Sequence, residues 1–536
     1  MGKLNDIKII GGGSAGWMTA TTLVRKLPKG HKITLIESPN IATVGVGEST
    51  IGGISNWLAS VGLHSKLNEF VKLTDGTIKL SIRFEDFYKK GDGGFHYPFG
   101  VPVTLGNKFD NNEWYIKKMM YPETPISDFA TQNYGQMAMV NANRLSKDGD
   151  IPFNWKMDKA LHFDATKFGL YLRDNVCIPE GVQHVKSNVK DVITKDGAVE
   201  KIILENGDEV TADLFIDCTG FKSLLLGKAL KEPFVDYSPI LPNNSAWATR
   251  LPYKDRKKEM NLYTDCLAMN NGWVWKIPLW HRWGSGYVYS NKYISDEDAL
   301  QEFKDFIKEK DYTSANVDEL EYKNIKMRVG RHKRIWVKNV CAIGLSAGFI
   351  EPLESNGLYS VHEFLNDLTS IIAGERAGHY TSYDRNEFNH RVCERFDSFS
   401  AFVSMHYALS QRDDTKYWQD VNERDYSEEW EKMGHTKFNP FTESFNRKNR
   451  DGKWGLFEGL NCIAPGMRWF TVDEQLISVK DSVEKPKEEY GLFWHKCIDE
   501  MNKRSEMWAK EASKMKTTYE FLRDEYFDGK DEITSE

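Results

Sequence analysis

The chain has 536 residues, 40% hydrophobic and 13% aromatic, enough to fill a large body with an appended subdomain. Its net charge of −7 supplies no positive field for DNA or RNA, and it has no run of about eighteen apolar residues to span a membrane. Seven scattered cysteines without disulfide or zinc spacing fit a reducing cytoplasm, and the start reads without a charged-then-apolar leader.

Taken in order, Ile7 to Ile10 is a short β-branched run that predicts a strand. Gly11, Gly13 and Gly16 follow in G-x-G-x-x-G spacing, with Ser14 and Ala15 between them and helix-forming residues after. Lys32 to Ile36 reads as a second strand and ends in Glu37, a carboxylate placed to accept from a ribose 2′-hydroxyl. Strand, glycine turn, helix, strand and terminal acid together predict a dinucleotide site, the helix N-terminus holding the diphosphate. The next stretch, SPNIATVGVGESTIGG, is irregular, and Gly45 and Gly47 in it let backbone lie close to a ligand.

TIKLSIRF (77–84) alternates apolar with Lys79, Ser81 and Arg83, so it reads as one strand with a polar side. GGFHYPFG (93–100) reads as an aromatic turn. Residues 185–216 read as a β-meander with turns at Asp196-Gly197 and Asn206-Gly207, closing in a strand that runs into Asp217 and Gly220. Residues 271–289 read as aromatic β-sheet. Residues 337–357 read as a strand, a turn at Gly344, and an irregular entry to a helix near Leu358 that continues to about Ser410. The tail from Asp414 is polar and patchily helical, and its acidic end reads as frayed. The histidines lack metal-ligand spacing, and HFD (162–164) alone is no metal site. Sixteen tryptophans hint at an aromatic-lined cavity.

An NAD dehydrogenase would follow its glycine motif with an unbroken β-α-β series. This chain interrupts the series and returns through separate strand–glycine turns at Gly220 and Gly344, which suits the longer FAD. GGGSAGW, GVGEST, LHFDATKFGLYLRD (161–174), ADLFIDCTGFKSLLLG, GWVWKIPLW (272–280), GFIEPLESNGLY (348–359) and HYALSQRDDTKYW (406–418) resemble, in order and over roughly residues 5–420, the flavin-dependent halogenases of the tryptophan-halogenase type. The W-x-W-x-I-P element at Trp273 separates these from ordinary flavin monooxygenases.

The resemblance implies an α/β fold: an FAD-binding Rossmann-like body with an interleaved substrate-side sheet over 1–360, and a mainly helical C-terminal subdomain over 361–536 covering the substrate pocket. It implies that reduced FAD, supplied by a separate NAD(P)H-dependent flavin reductase, reacts with O2. The resulting flavin hydroperoxide takes up chloride, bromide or iodide and releases hypohalous acid, which travels through a tunnel to an aromatic substrate. Implied flavin positions are Gly11, Gly13, Ser14, Ala15, Gly16, Glu37, Gly45, Gly47, Glu48, Val189, Asp217, Gly220 and Gly344. Lys79 matches the catalytic lysine, acting as hydrogen-bond donor or as haloamine, and Glu354 matches its acidic partner. Ser355, Asn356 and Gly357 match the halide nest, with Asn356 replacing the more familiar Thr and so leaving halide preference open. Trp273 and Trp275 match the wall that keeps the flavin oxidant from the substrate. His96, Tyr97 and Phe99, with Trp454, match substrate-side positions.

Residues 437–460 carry Phe438, Phe441, Phe445, Trp454 and Glu458 but lack the Tyr-Tyr pair with which tryptophan-specific members grip the amino acid. An indole, phenol or other electron-rich arene is therefore expected at least as much as free tryptophan. The competing reading is a flavin-dependent hydroxylase that inserts oxygen directly and works without halide. Expected partners are the reductase and a small aromatic, with no nucleic acid or membrane; the oligomeric state, a homo-oligomer included, stays open.

Overall fold

The computed structural model describes residues 4–40, 47–103, 112–373, 380–428, 456–468 and 489–531. Its first layer is a six-stranded sheet in the order Trp336–Val337, Val340–Ala342, Leu214–Asp217, Asp6–Ile10, Lys32–Glu37 and Gln183–Lys186. All neighbours are parallel except the terminal hairpin Trp336–Val337/Val340–Ala342. The strands are buried on both faces, as their unbroken β-branched runs require. Helix Ser14–Lys26 covers one face, packed against helices Ala165–Leu172 and Gly357–Ile372. The expected division at residue 360 thus falls inside a helix that belongs to the nucleotide layer.

The second layer is a seven-stranded sheet: Lys323–Lys326, Ser245–Pro252, Arg282–Tyr289, Gly272–Pro278, Tyr263–Met269, Ser81–Glu85 and Gly94–Pro98. It is antiparallel except where Tyr263–Met269 runs alongside Ser81–Glu85. Trp273 and Trp283 of its strands are buried. The meander over Val189–Lys195, Ala198–Leu204 and Glu209–Val210 forms a separate three-stranded sheet, with its glycine turns where the sequence places them.

One expectation is corrected. Residues 77–84 are two strands, Thr77–Lys79 and Ser81–Glu85, and they join different sheets. Thr77–Lys79 pairs with Ala160–Phe163, which also pairs Glu48–Ser49; Ser81–Glu85 enters the seven-stranded sheet. The switch is made at Leu80, whose N–H goes to Leu262 and whose carbonyl accepts from Phe99. Alternation continues through such a switch, so the pattern alone does not register it. The polar side is not solvated either, since Lys79 and Ser81 are both fully buried. The aromatic turn likewise contains a strand, Gly94–Pro98.

The C-terminal helices Glu489–Ala512 and Thr518–Tyr526 dock onto this body, and Lys516–Thr517 pairs with Arg144–Leu145. Among the described residues no helix is long and apolar enough to cross a membrane, and no cluster of His, Cys, Asp or Glu could hold a metal ion.

Candidate active site

Four parallel strands end side by side at Ala342, Asp217, Ile10 and Glu37, and Gly344, Gly220 and Gly11 lie just beyond those ends, where open α/β sheets bind ligands. Gly11 has φ +115, and a Cβ there would overlap the Cys218 carbonyl. A Cβ on Gly16 would overlap the Gly11 carbonyl, and one on Gly12 the Glu37 carboxylate. By contrast no described residue lies within 4 Å of a Cβ built on Gly13. Helix Ser14–Lys26 starts there without a side-chain cap or an acid in its first turn, so its first N–H groups are left for a ligand. This cradle fits the diphosphate of FAD.

Glu37 stands beside the cradle with Oε1 2.7 Å from His184 Nε2, and its main-chain carbonyl accepts from Ser187 N–H, two residues before Val189. Gly344 meets Ala15: a Cβ on it would lie 2.8 Å from the Ala15 Cβ. The Asp217 carboxylate is wholly used by its own turn, accepting from Thr219 N and Oγ1 and from the N–H groups of Leu225 and Leu226 at 2.6–3.0 Å. It shapes the turn at Gly220 and offers no oxygen to a ligand. Burial, with Asp164 nearby, raises the Glu48 carboxyl to about 7. Gly47 packs on Leu279 and Ile277, at the end of the Trp273 strand rather than at the glycine turn. Gly45 lies outside the described residues.

Lys79, at the end of its short strand, is fully buried. Its ammonium donates to Ser49 Oγ (2.8 Å), the Thr50 carbonyl (2.9 Å) and Ser355 Oγ (2.8 Å), one acceptor for each of its N–H groups. The Phe99 ring lies 5.1 Å below it. Burial lowers Lys79 to about 7, opposed by the neighbouring Cys266 and Glu354 side chains. Ser49 Oγ also lies 3.0 Å from Ser355 Oγ and 2.6 Å from Thr264 Oγ1, which reaches His162 Nε2 at 2.9 Å. His162 is kept neutral by burial and by Lys79.

Glu354, 1% exposed, ends the 3-10 turn Pro352–Glu354. Ser355 follows at φ +56, its N–H bonded to the Pro352 carbonyl. Asn356 and Gly357 then open helix Gly357–Ile372, so their N–H groups have no intrahelical acceptor. No described residue lies within 4 Å of a Cβ built on Gly357. Ser355 therefore ties Lys79 to a helix start with free main-chain donors, the arrangement that binds an anion.

A family model described as tryptophan halogenase matches residues 6–454. The chain belongs to the tryptophan halogenase family. It is 31% identical over 435 residues to the tryptophan 6-halogenase ThaL of Streptomyces albogriseolus, covering 78% of each chain. It is 33% identical over 439 residues to the tryptophan 7-halogenase RebH of Lentzea aerocolonigenes, covering 78% of this chain and 79% of that one. Among solved structures, the VirX1 apo structure aligns with a TM-score of 0.87 at 36% identity, over 98% of this chain and 100% of that one. The tryptophan 6-halogenase SttH from Streptomyces toxytricini aligns at 0.79 and 27% identity, over 99% and 100%.

In this flavin-dependent halogenase Trp273 and Trp275 share one strand, with ring centroids 6.2 Å apart. Trp273 Nε1 donates to Glu351 Oε2 at 3.3 Å, and Trp275 lies over Gly286, where a side chain would not fit. The substrate-side turn divides. Phe99 and Tyr97 pack edge to face at 5.7 Å, Phe99 under Lys79. His96 turns to Ser81 Oγ at 3.0 Å and the Tyr263 ring, and burial with Arg83 lowers it to about 3. Trp454 lies outside the described residues. Sequence reasoning missed Ser49, Thr264 and His162 as partners around Lys79. The only signal was that Ser49 and His162 sit inside quoted family motifs, GVGEST and LHFDATKFGLYLRD.

Proposed function

We propose that this halogenase delivers hypohalous acid to an electron-rich arene through Lys79, with Glu354 as the base that takes the ring proton. Bound reduced FAD supplies, from O2 and halide, the oxidised halogen that the chain directs. The glycine cradle, Glu37 and the turns at Gly220 and Gly344 would hold the cofactor. The N–H groups of Asn356 and Gly357 would hold the halide, a chloride, bromide or iodide. What carries the reading is Lys79: an amine buried without exposure, fixed by three oxygens, bonded to the loop of Glu354, Asn356 and Gly357. Excluding water protects hypohalous acid from wasteful reaction before it meets the ring. The tryptophan wall over Trp273 and Trp275 separates the site of oxidant formation from the ring.

The matched relatives ThaL and RebH are named for tryptophan. Here the segment that would grip an amino acid lacks the Tyr-Tyr pair, so the substrate class is an indole or phenol rather than free tryptophan alone. A separate reductase supplies the reduced flavin, since the sequence offers no second strand–glycine–helix unit for NAD(P)H. The test combines the chain with FAD, a flavin reductase, NADH, O2 and each halide over a panel of indoles and phenols, read by product mass. Halogenated product that disappears in Lys79→Ala is expected. Hydroxylated product formed without halide would replace this reading with the hydroxylase.

A further inference from the structure

Two buried glutamates three residues apart, Glu351 and Glu354, face two consecutive side chains of helix Ser382–Ala408. Their surroundings are opposite. Glu351 accepts from Asn243 N (3.0 Å) and Nδ2 (2.9 Å), Tyr407 OH (2.6 Å) and Trp273 Nε1 (3.3 Å). Such a carboxylate is spent on structure, and it fixes the end of the helix. Among the described residues neither oxygen of Glu354 accepts a well-aligned hydrogen bond, although both are buried. Its neighbour is His406, fully buried, with Nε2 3.0 Å from Oε1 but off the hydrogen-bonding direction. Distance and burial define the pair; the alignment is the kind that tightens when a substrate closes the site.

The other ring nitrogen decides the proton inventory. His406 Nδ1 lies 3.1 Å from the Val403 carbonyl, which can only accept, so Nδ1 carries a hydrogen. A neutral His406 would then aim a lone pair at a carboxylate. The ring thus sits between two acceptors, and the form that satisfies both carries a hydrogen on each nitrogen. The rings of Phe84, Phe87 and Phe402 lie beside it, at 4.5, 5.9 and 6.3 Å.

We propose that His406 is the positioning residue and counter-cation of Glu354, holding it as a carboxylate whose other oxygen, Oε2, takes the ring proton. A lone carboxylate in so apolar a place would be costly in its charged form. Among the described residues, Cys266 and Lys79 are the other titratable groups whose charge is coupled to Glu354. Burial keeps the Cys266 thiol protonated and neutral, and it brings Lys79 down to about 7 while its hydrogens go to Ser49, Thr50 and Ser355. In the final step the ring C–H bond at the halogenated carbon breaks. Its electron pair restores the aromatic ring, and the proton goes to Oε2, giving a neutral acid beside the imidazolium. The proposal rests on Glu354 acting as the base in the function proposed above.

Histidine-selective 15N NMR of the full-length chain tests the proton, with the His406 signal assigned by its loss in His406→Phe and in His406→Gln. We expect both ring nitrogens of His406 to be protonated, and Nε2 to lose its hydrogen in Glu354→Gln; an unprotonated Nε2 in the parent chain overturns the inference. The second arm is halogenation kinetics. His406→Phe keeps a ring among the three phenylalanines, and His406→Gln keeps polarity should the first fail to fold. Both should lower kcat roughly ten- to a hundredfold with KM for the arene unchanged. A kinetic isotope effect should appear on a substrate deuterated at the halogenated carbon, because proton removal becomes slow. Unchanged kcat, or a loss without that isotope effect, overturns the inference. If the parent chain halogenates nothing, the proposed function fails while the NMR result still decides the pairing.

Discussion

At the scale of the residue, the chain keeps a lysine where folding disfavours its charge. Lys79 titrates near 7 in the folded protein, against an ordinary value of 10.5, because burial penalises the ammonium. Between those values the unfolded chain binds more protons, so stability rises with pH across about 7 to 10.5 and is lost again as pH falls toward 7. The penalty is on the order of a few kcal/mol. Lys159, lowered to about 8 by burial, contributes the same sign in part of that window, so the comparison must be between the parent and Lys79→Met. Urea unfolding near pH 7 and near pH 10 should show the parent gaining more stability with pH than the variant; equal slopes would remove the assigned burial penalty. The halogenation kcat should inflect near pH 7, rising with pH if the neutral amine carries halogen and falling if the ammonium donates to it. The sequence offered Lys79 only by its place in a family motif. Nothing in the alternation of 77–84 says that Ser49, Thr50 and Ser355 arrive from 29 to 276 residues away to hold it.

Elements were legible where a local rule acts and illegible where a distant partner decides. The glycine turn, Glu37 and the 196–197 and 206–207 turns follow from neighbours in the chain, and the structure has them there. The break at Leu80 follows from Leu262 and Phe99, which no window around residue 80 contains. Asp217 is a mixed case. The strand–glycine turn was visible, but its carboxylate, placed by sequence among the flavin positions, is consumed by two donors of Thr219 and by the Leu225 and Leu226 N–H groups of the π-helical turn that follows. Removing it strands buried N–H groups, each costing about 1–3 kcal/mol, so Asp217→Ala should destabilise by several kcal/mol. A fall in urea midpoint of that size, with flavin affinity falling no faster than the folded fraction, is the expected result. Full stability with selective loss of flavin binding would return Asp217 to the cofactor.

Across the whole molecule, the site is held where the nucleotide layer and the seven-stranded sheet meet, and the distant C-terminus supports that junction. The tail reads from sequence as polar and patchily helical with a frayed acidic end; its last described segment, 489–531, is helical and docked, and residues 532–536 lie outside the described residues. Thr517 and Glu520 form a capping box for helix Thr518–Tyr526, which buries Tyr519, Phe521 and Leu522. Trp280 is stacked by Phe527 at 3.9 Å and by Tyr519 at 5.4 Å, while Arg256 covers its ring at 4.7 Å. The main-chain N–H of Trp280 donates to the Asp75 carbonyl at 3.0 Å, and Asp75 lies two residues before the strand that ends in Lys79. A chain stopped after Ala512 would lose the helix and the Lys516–Thr517 strand and uncover a fully buried tryptophan. Exposing one such ring forfeits about 1.5–3 kcal/mol, before the loss of Phe521, Leu522 and their partners is added. The truncated chain should therefore melt several degrees lower, and its halogenation should fall by more than its folded fraction, because the Asp75–Lys79 segment is loosened. Phe527→Ala isolates the stacking contact from the rest of the tail. It should reproduce the direction of both effects at smaller size, and retained melting temperature and activity in that variant would break the mechanical link between the last helix and the lysine.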